Sequence, residues 1–262
     1  MSIDAVVITG AGSGIGRALA LAYAQPGRPL LLLGRSQGAL DETASLARSR
    51  GAIIRIAVVD VQNGAALDRV AEQFAQEFSE IGVVIANAGI SHGTLAVEPA
   101  DRQVFAEIVG TNLLGMANTC SAFLPYIPSG GRIAGIASVA GFRGLPGASA
   151  YSASKAGVIA YLESLRLELR RRGIYVCSIA PGYIATPMTA SNHYLMPWLM
   201  APDLAAQKIR RAIDKRRPWL VVPWQMGVLG FVLRHLPIFL YDRIFSRVAG
   251  KARVGSVSVG KD

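Results

Sequence analysis

The chain has 262 residues, of which 52% are hydrophobic, 17% charged and 7% aromatic, and this length suffices for a complete core without disulfides or metals. The formal net charge is +10, and residues 201–262 alone contribute +8 of it. This composition excludes an intrinsically disordered, collagen-like or disulfide-rich protein, and the length is common for a single α/β domain.

Short apolar runs alternate with amphipathic stretches along the first 180 residues. The predicted strands are 5–9, 30–33, 53–59, 83–86, 132–137 and 174–180, and predicted helices include 15–25, 40–50 and 65–78. Continuous apolar strands separated by single helices indicate a parallel sheet covered on both faces. Right-handed crossovers then give an α/β fold, a Rossmann-like doubly wound three-layer sandwich with a central parallel sheet. We expect one domain over residues 1–218, with an apolar, basic extension of it over 219–262.

A glycine-rich segment, TGAGSGIG at 9–16, joins the first predicted strand to the first predicted helix. Glycines permit positive φ and let a backbone approach a ligand closely. The exposed amides at the start of a helix bind anions such as a pyrophosphate. A tight turn that binds no ligand could have the same composition. The position of this segment after the first strand of a βαβ unit favours a dinucleotide-binding loop. The spacing is GxxxGxG rather than GxGxxG.

The end of the second predicted strand bears on which dinucleotide binds. A carboxylate at this position accepts from the ribose 2′-OH of NAD, but here the strand ends at Gly34 and Arg35. A guanidinium pairs with a 2′-phosphate, so Arg35 favours NADP, although a surface cation would look the same. Asp60, at the end of the third strand, is placed either to touch the adenine or simply to form a turn.

Tyr151 and Lys155 begin a helical pattern that runs to about residue 172. Side chains four residues apart share one face of a helix, and a neighbouring ammonium lowers the pKa of a phenol, which is otherwise near 10. A phenol tuned in this way is a better general acid–base group. Ser138, thirteen residues upstream, ends the preceding strand and could donate a second hydrogen bond to a substrate oxygen.

Residues 219–245 form the most apolar stretch of the chain, next to most of its excess basic residues. Sixteen residues separate Arg217 from Arg234, and Pro223 and Pro237 interrupt the run, so we expect no transmembrane span. Three interpretations remain open: the stretch packs on the sheet or on another subunit, lines a substrate entrance, or lies in a bilayer interface. The flanking basic residues are Arg216, Arg217, Arg243, Arg247, Lys251 and Arg253.

Cysteine usage and the first residues bear on the compartment. Cys120 and Cys177 make no disulfide pattern, and no Cys/His cluster has zinc spacing, so no metal is expected. The opening MSIDAVVITGAG lacks the basic and long apolar parts of a signal peptide. We therefore expect a cytoplasmic protein, with peripheral membrane contact through 219–245 as one alternative for the apolar stretch.

Together these motifs resemble the short-chain dehydrogenase/reductase family. The resemblance covers about residues 4–200 and includes TGAGSGIG at 9–16, Asp60, Ala86-Asn87-Ala88-Gly89, Asn112, Ser138, Tyr151, Lys155 and PGYIATP at 181–187. It implies an oxidoreductase that moves a hydride between a nicotinamide and a carbonyl or secondary alcohol. With Arg35 at the end of the second strand, we expect NADP(H) in preference to NAD(H).

The resemblance also implies a role for each matching residue. Tyr151 exchanges the proton with the substrate oxygen, Ser138 orients that oxygen, and Lys155 holds the nicotinamide ribose and lowers the pKa of Tyr151. Asn112, the fourth catalytic residue, supports a water that links Lys155 to solvent. The expected cofactor-binding residues are Gly10, Ser13, Gly14, Ile15, Gly16, Arg35, Asp60, Asn87, Ala88, Gly89, Tyr151, Lys155, Pro181, Gly182, Ile184 and Thr186.

The expected substrate residues are Ser138, Tyr151, Tyr183 and Met188, and they point to a hydrophobic carbonyl or alcohol. The surrounding lid segment is bulky and apolar, with no Arg or Lys between Thr189 and Pro202 to clamp an anionic group. Its other members are Tyr194, Leu195, Met196, Trp198, Leu199 and Met200. A loop that only packs on the core would have a similar composition.

Three departures and two rival functions qualify this interpretation. The family's NNAG reads ANAG here, and the C-terminal Asp–Gly–Gly of tetrameric members is absent, which argues against their tetramer interface. The expected assembly is a homodimer. The segment 219–262 resembles that of members acting on lipophilic carbonyls. One rival is a catalytically silent dinucleotide-binding regulator, although all four catalytic positions are filled. The other is a nucleic-acid-binding protein, but the basic segment lacks a regular basic stripe, so we expect no nucleic-acid binding.

Overall fold

A parallel β-sheet runs through the part of the chain that this computed structural model describes, which is residues 4–78, 80–190, 192 and 194–246. Its seven strands are β1 (Ala5–Thr9), β2 (Pro29–Gly34), β3 (Ile53–Val58), β4 (Ile81–Ala86), β5 (Arg132–Ile136), β6 (Tyr175–Pro181) and β7 (Trp219–Val222). They lie in the order β3-β2-β1-β4-β5-β6-β7, and each neighbouring pair is parallel. The predicted doubly wound α/β fold is therefore confirmed.

Helices connect and cover these strands. The described α-helices are α1 (Gly14–Tyr23), α2 (Gln37–Arg48), α3 (Gly64–Phe78), α4 (Asp101–Val109), α5 (Gly115–Phe123), α6 (Ser149–Glu168), α7 (Pro187–Ala190), α8 (Pro202–Asp214), α9 (Trp224–His235) and α10 (Ile238–Phe245). A π-helical turn, Gly110–Leu114, joins α4 to α5. Short 3₁₀ turns follow α5, β5 and α6 at Leu124–Tyr126, Val139–Gly141 and Leu169–Arg172.

Two apolar clusters, one on each face of the sheet, form the core. Successive strand residues point to opposite faces, so Val7 of β1 packs with α3, α5 and α6, while Val6 and Ile8 pack with α1, α2 and α8. Because β1 is buried on both faces, its sequence is a continuous apolar run instead of an alternating one. This double burial explains why the strands could be predicted from composition.

The strand order reverses between β1 and β4, at the centre of the sheet. The connections that leave β1 and β4 diverge to opposite sides at this point, which opens a crevice beyond the carboxyl ends of the strands. In open α/β sheets, ligands bind in this crevice. The glycine-rich segment after β1 and residues 87–89 after β4 both lie there.

The C-terminal segment contains a strand that the sequence analysis did not predict. Trp219–Val222 is β7, which lies at the edge of the sheet opposite β3 and pairs with Ser178–Pro181 of β6. The two prolines that interrupt the apolar run, Pro223 and Pro237, occupy the N-cap positions of α9 and α10. Across the described residues, no helix has the length and hydropathy needed to cross a bilayer. Arg247, Lys251 and Arg253 lie outside the described residues.

Candidate active site

The glycine-rich loop depends on glycine at positions 10, 14 and 16. Gly10 and Gly14 have φ values of 65° and 52°, in the left-handed region that L-residues rarely adopt. A Cβ at Gly16 would collide with the carbonyl oxygen of Gly10. The loop therefore turns tightly from β1 into α1, and it presents its backbone and the first amides of the helix to the crevice.

A cavity of about 210 Å³ opens above this loop, at the carboxyl ends of β1, β4, β5 and β6. It brings together most of the predicted site residues, namely Gly10, Ser13, Gly14, Ile15, Asn87, Ala88, Gly89, Ser138, Tyr151, Lys155, Pro181, Gly182, Ile184, Thr186 and Met188. Its lining also includes Ile136, Ala137, Pro187 and Thr189, which the sequence analysis did not select.

A second cavity, of about 250 Å³, continues across the loop toward the ends of β2 and β3. It shares Gly10, Ser13, Ala88 and Gly89 with the first cavity and adds Arg35, Ser36 and Asp60. The predicted residues Gly16, Asn112 and Tyr183 line neither cavity. Gly16 lies under the loop, and the ring of Tyr183 packs edge-on against Tyr194, with 6.1 Å between the ring centroids.

Asn87 ties the two strands at the crevice together. Its side-chain Nδ2 donates to the carbonyl oxygen of Thr9 at 2.9 Å, and its backbone N donates to Thr9 Oγ1 at 2.9 Å. The backbone N of Ala88 donates to the same hydroxyl at 3.0 Å. The ends of β1 and β4 are therefore fixed by side-chain as well as ladder hydrogen bonds, and the missing first Asn of the family's NNAG is not needed for this link.

The two cations near the second cavity have different partners. Arg17 donates to the carbonyl oxygen of Gly12 at 2.7 Å and to Glu42 at 2.7 Å, so its guanidinium is committed to the loop and to α2. Arg35 is 63% exposed, and its Nη1 lies 3.9 Å from a carboxylate oxygen of Asp60. Arg35 is therefore the more accessible of the two to an anion.

Ser138, Tyr151 and Lys155 meet where β5 and α6 approach each other. Ser138 caps the 3₁₀ turn after β5, where its Oγ accepts from the backbone N of Ala140 at 3.2 Å, and it is also hydrogen-bonded to Tyr151. Lys155 lies one turn along α6 from Tyr151, with its Nζ 5.9 Å from the Tyr151 ring centroid. This Nζ donates to the carbonyl oxygen of Ile136 at 2.7 Å.

Burial dominates the protonation of this group. It raises the pKa of Tyr151, and the hydrogen bond from Ser138 only partly opposes that change. Burial also lowers the pKa of Lys155 to about 8, because a charged ammonium is poorly solvated there. In this structure the hydrogen bond from Ser138 is the contribution that lowers the pKa of Tyr151, and the expected lowering by Lys155 stays a prediction.

Asn112 lies in the π-helical turn and is fully buried. Its Oδ1 accepts from the backbone N of Ile90 at 2.8 Å, and its Nδ2 donates to the carbonyl oxygen of Ile90 and to Ser154 Oγ, both at 3.0 Å. Both amide hydrogens are thus used, and one lone pair of Oδ1 remains. A Cβ at Gly89 would lie 3.1 Å from this oxygen, so the chain after β4 approaches it closely.

The substrate side of the first cavity is covered from two parts of the chain. Met188, on α7, lines the cavity, whereas Trp198, Leu199 and Met200 of the predicted lid line a separate groove. A residue that sequence reasoning missed is Met226 of α9, whose side chain packs so closely on Gly182 that a Cβ there would be 2.5 Å from it. The C-terminal segment thus contacts the active-site loop directly.

Comparisons with known proteins agree with this geometry. Residues 4–194 match the family model described as short chain dehydrogenase. An uncharacterized oxidoreductase of Myxococcus xanthus is 36% identical over 251 residues, covering 95% of this chain and 98% of that protein.

Two solved structures are also similar to the chain. A short chain dehydrogenase/reductase from Burkholderia phymatum in complex with NAD has a TM-score of 0.80 at 26% identity, covering 95% of this chain and 97% of that one. An alcohol dehydrogenase from Thermococcus sibiricus complexed with 5-hydroxy-NADP has a TM-score of 0.76 at 25% identity, covering 84% and 96%. The chain therefore belongs to the short-chain dehydrogenase/reductase family and is an oxidoreductase of alcohol and carbonyl groups.

Proposed function

We propose that the protein is an NADP(H)-dependent oxidoreductase of hydrophobic ketones or secondary alcohols, with Tyr151 as the acid–base residue. The observation that carries this proposal is the hydrogen-bonded pair of Ser138 and Tyr151 at the cavity surface, with the Lys155 ammonium one helical turn away. Two hydroxyls side by side present one proton and one further hydrogen bond to a single substrate oxygen.

The residues present fit a nicotinamide dinucleotide. The two cavities meet across the glycine-rich loop, where Cβ atoms at Gly10 and Gly16 would clash with Asn87 or with the loop itself. Residues 10–16 would hold the pyrophosphate, Lys155 the nicotinamide ribose, and Pro181, Gly182, Ile184 and Thr186 the nicotinamide ring. Such a cofactor, when bound, supplies or accepts the hydride.

The chain's own residues then handle the proton. In the reducing direction Tyr151 gives its phenolic proton to the substrate carbonyl oxygen, and Ser138 donates a hydrogen bond to that same oxygen. The phenol of Tyr151 is protonated at neutral pH, as an acid must be, because its ordinary pKa is near 10 and burial raises it further. Proton transfer becomes more efficient as that pKa approaches the working pH. The positive charge of Lys155 stabilises the phenolate left behind, and the remaining lone pair of Asn112 Oδ1 can hold a water that returns the proton.

The preference for NADP(H) is supported by the charge at the end of β2. Arg35 and the Ser36 hydroxyl lie in the second cavity, and no carboxylate stands on β2 to accept from a ribose 2′-OH. The carboxylate of Asp60 already lies 3.9 Å from Arg35. A 2′-phosphate would replace it as the partner of the guanidinium, leaving Asp60 to contact the adenine.

The proposed substrate class and surroundings follow from the apolar cover of the site. Met188 lines the first cavity and Met226 packs on Gly182 of that lining, and this apolar cover suits a hydrophobic carbonyl compound. Tyr183, which packs on Tyr194 outside the cavity, remains a proposed substrate residue. On α9 and α10, large apolar side chains are exposed, including Phe231 at 65% and Phe239 at 75%. Peripheral membrane contact through residues 219–245 would cover these side chains. We further propose that the protein is a homodimer and is located in the cytoplasm.

The test is a screen of methyl ketones of increasing chain length with NADPH and with NADH, following the absorbance of the reduced nicotinamide. We expect turnover with NADPH and a KM that falls as the chain lengthens. Equal kcat/KM for the two cofactors would refute the NADP(H) preference, and a flat dependence on chain length would refute the hydrophobic substrate.

A further inference from the structure

A groove of about 660 Å³ lies between α8, β7 and the start of α9, apart from the two cavities of the active site. Its cations are Lys208, Arg211, Lys215 and Arg217, all exposed. Trp198 and Trp224 also line it, 49% and 70% exposed. We call this site, defined by these six residues, the basic groove.

In the part of the chain that the structure describes, no acidic partner neutralises these four cations. Lys208, Arg211 and Lys215 follow one another at spacings of three and four, so they share the exposed face of α8. Among the described residues, none of the four lies within ion-pair distance of a carboxylate. The nearby Asp214 is directed to Arg210 instead. Like charges on one helix face repel each other, so the binding of anions stabilises the arrangement.

The two tryptophans give the groove an apolar rim. Trp198 has a φ of 54°, which is rare for a bulky residue, and the strand-like bridge beside it, from Met200 to Ile184, fixes that segment. A tryptophan held half-exposed next to cations is typical of side chains at a membrane–water interface. The rim and the cations together suit anionic headgroups above an apolar layer.

The apolar surface continues from the groove along α9. Val228 and Phe231 follow Trp224 on the same helix face and are 56% and 65% exposed. A soluble anion would cover only the cations and leave this surface in water. A second copy of the chain would bring the same cations face to face. An anionic bilayer satisfies both parts of the surface.

We propose that the basic groove is a binding site for the phosphate headgroups of anionic lipids at a bilayer surface. This inference rests on the membrane contact of the proposed function. It adds that cations of α8, outside residues 219–245, bind the negatively charged headgroups. Each cation near an anionic surface contributes roughly fivefold to partitioning. Removing three of them therefore lowers binding to anionic vesicles on the order of a hundredfold.

The experiment is vesicle co-sedimentation of the full chain with phosphatidylcholine alone and with added phosphatidylglycerol. The variant is Lys208→Gln/Arg211→Gln/Lys215→Gln, and the matched control Arg48→Gln/Arg69→Gln/Arg102→Gln removes three exposed charges elsewhere. We expect wild type and control to bind the anionic vesicles, and the groove variant to lose that binding. Equal binding by variant and control overturns the proposal, as does full competition by inorganic phosphate at millimolar concentration.

A second variant, Phe231→Ser/Phe239→Ser, separates this inference from the membrane contact itself. If it loses binding to both vesicles while the groove variant binds normally, the membrane contact stands and the basic groove is not its headgroup site. If wild type binds neither vesicle, both ideas fail, while turnover of ketones with NADPH is judged independently. Light scattering of the groove variant completes the test, since loss of a dimer would make the groove a subunit interface and overturn the proposal.

Discussion

Two regions of the molecule differ in how their side chains are placed. One is the crevice at the carboxyl ends of β1, β4, β5 and β6, and the other is the C-terminal surface formed by α8, α9 and α10. In the crevice, Asn112 and Lys155 are buried, and each has hydrogen-bond partners within the protein. On the C-terminal surface, large apolar side chains and the four cations of the basic groove face outward. In our proposal the first region encloses a small ligand, and the second contacts a membrane surface. We therefore expect substitutions in the crevice to change kcat, and substitutions on the surface to change where the protein resides.

Tyr151→Phe tests the crevice most directly. The substitution removes one hydroxyl and its proton, and general acid catalysis contributes about 10²–10⁴-fold. We expect kcat to fall by that factor while the dissociation constant for NADPH, measured by fluorescence, stays within a few-fold. Tyr126→Phe, at a half-buried tyrosine outside both cavities, is the control. A Tyr151→Phe enzyme with half of the wild-type kcat would rule out the assigned role.

Lys155→Met should impair both cofactor binding and rate, because the ammonium holds the ribose and stabilises the phenolate. We expect a loss of kcat on the order of a hundredfold, together with a higher dissociation constant for NADPH. Circular dichroism checks that the Lys155→Met variant is folded, and its helix content should equal that of the wild type. A change in only one of the two parameters would contradict the dual role.

The same residue predicts a pH dependence of stability. Burial lowers the pKa of Lys155 to about 8 from an ordinary value of 10.5, so between these pH values the unfolded chain binds the extra proton. Stability due to this residue therefore rises with pH across that window. Relative to Lys155→Met, the free energy of unfolding of the wild type should gain about 1–3 kcal/mol from pH 7.5 to 10.5 in urea titrations. A constant difference would show that Lys155 is solvated.

The sequence predicted best those features that depend on residues close together in the chain. The six predicted strands are all present, with ends within two residues, because each is a continuous apolar run between polar or glycine-rich segments. The glycine-rich loop and the Tyr151–Lys155 pair could be predicted because each is a short motif of neighbouring residues. By contrast, β7 was missed because four apolar residues within a long apolar run show no period that separates strand from helix.

Two features of the crevice also lay beyond the sequence. The pKa of Tyr151 depends on how deeply the folded chain buries it, which no motif records. The contact of Met226 with Gly182 joins residues far apart in the chain and depends on how α9 packs. Pattern reasoning therefore selected residues most of which the fold brings together around the two cavities, while their electrostatics and their apolar cover required the fold.

Arg35→Ala tests the cofactor end of the crevice. A charge-assisted hydrogen bond to a phosphate is worth about 1.5–3 kcal/mol, so the ratio of kcat/KM for NADPH over NADH should fall roughly tenfold to a hundredfold. Arg48→Ala, an exposed arginine of α2 outside both cavities, is the control and should leave the ratio unchanged. An unaltered ratio in Arg35→Ala would assign the preference to another group.

Arg143 connects the two regions, so its substitution tests whether they are coupled. Its guanidinium donates to the carbonyl oxygens of Leu233 and Leu236 at the end of α9 and stacks on the Tyr241 ring, 3.9 Å from the centroid. The hydroxyl of Tyr241 donates to the carbonyl oxygen of Gly144, in the same loop as Arg143. The loop that follows Ser138 is thereby fastened to α9 and α10.

Arg143→Ala should lower the free energy of unfolding by about 1–3 kcal/mol, since it leaves two carbonyl groups and the Tyr241 ring without the guanidinium. Because Ser138 and Tyr151 are not touched, kcat with a short ketone should stay near that of the wild type, while the KM for a long-chain ketone rises as the apolar cover loosens. Arg143→Lys keeps the positive charge but loses the planar guanidinium, so its free energy of unfolding should lie between those of the wild type and Arg143→Ala. An equal KM increase for short and long ketones would mean that Arg143 supports the catalytic residues themselves, and the division between the two regions would then be wrong.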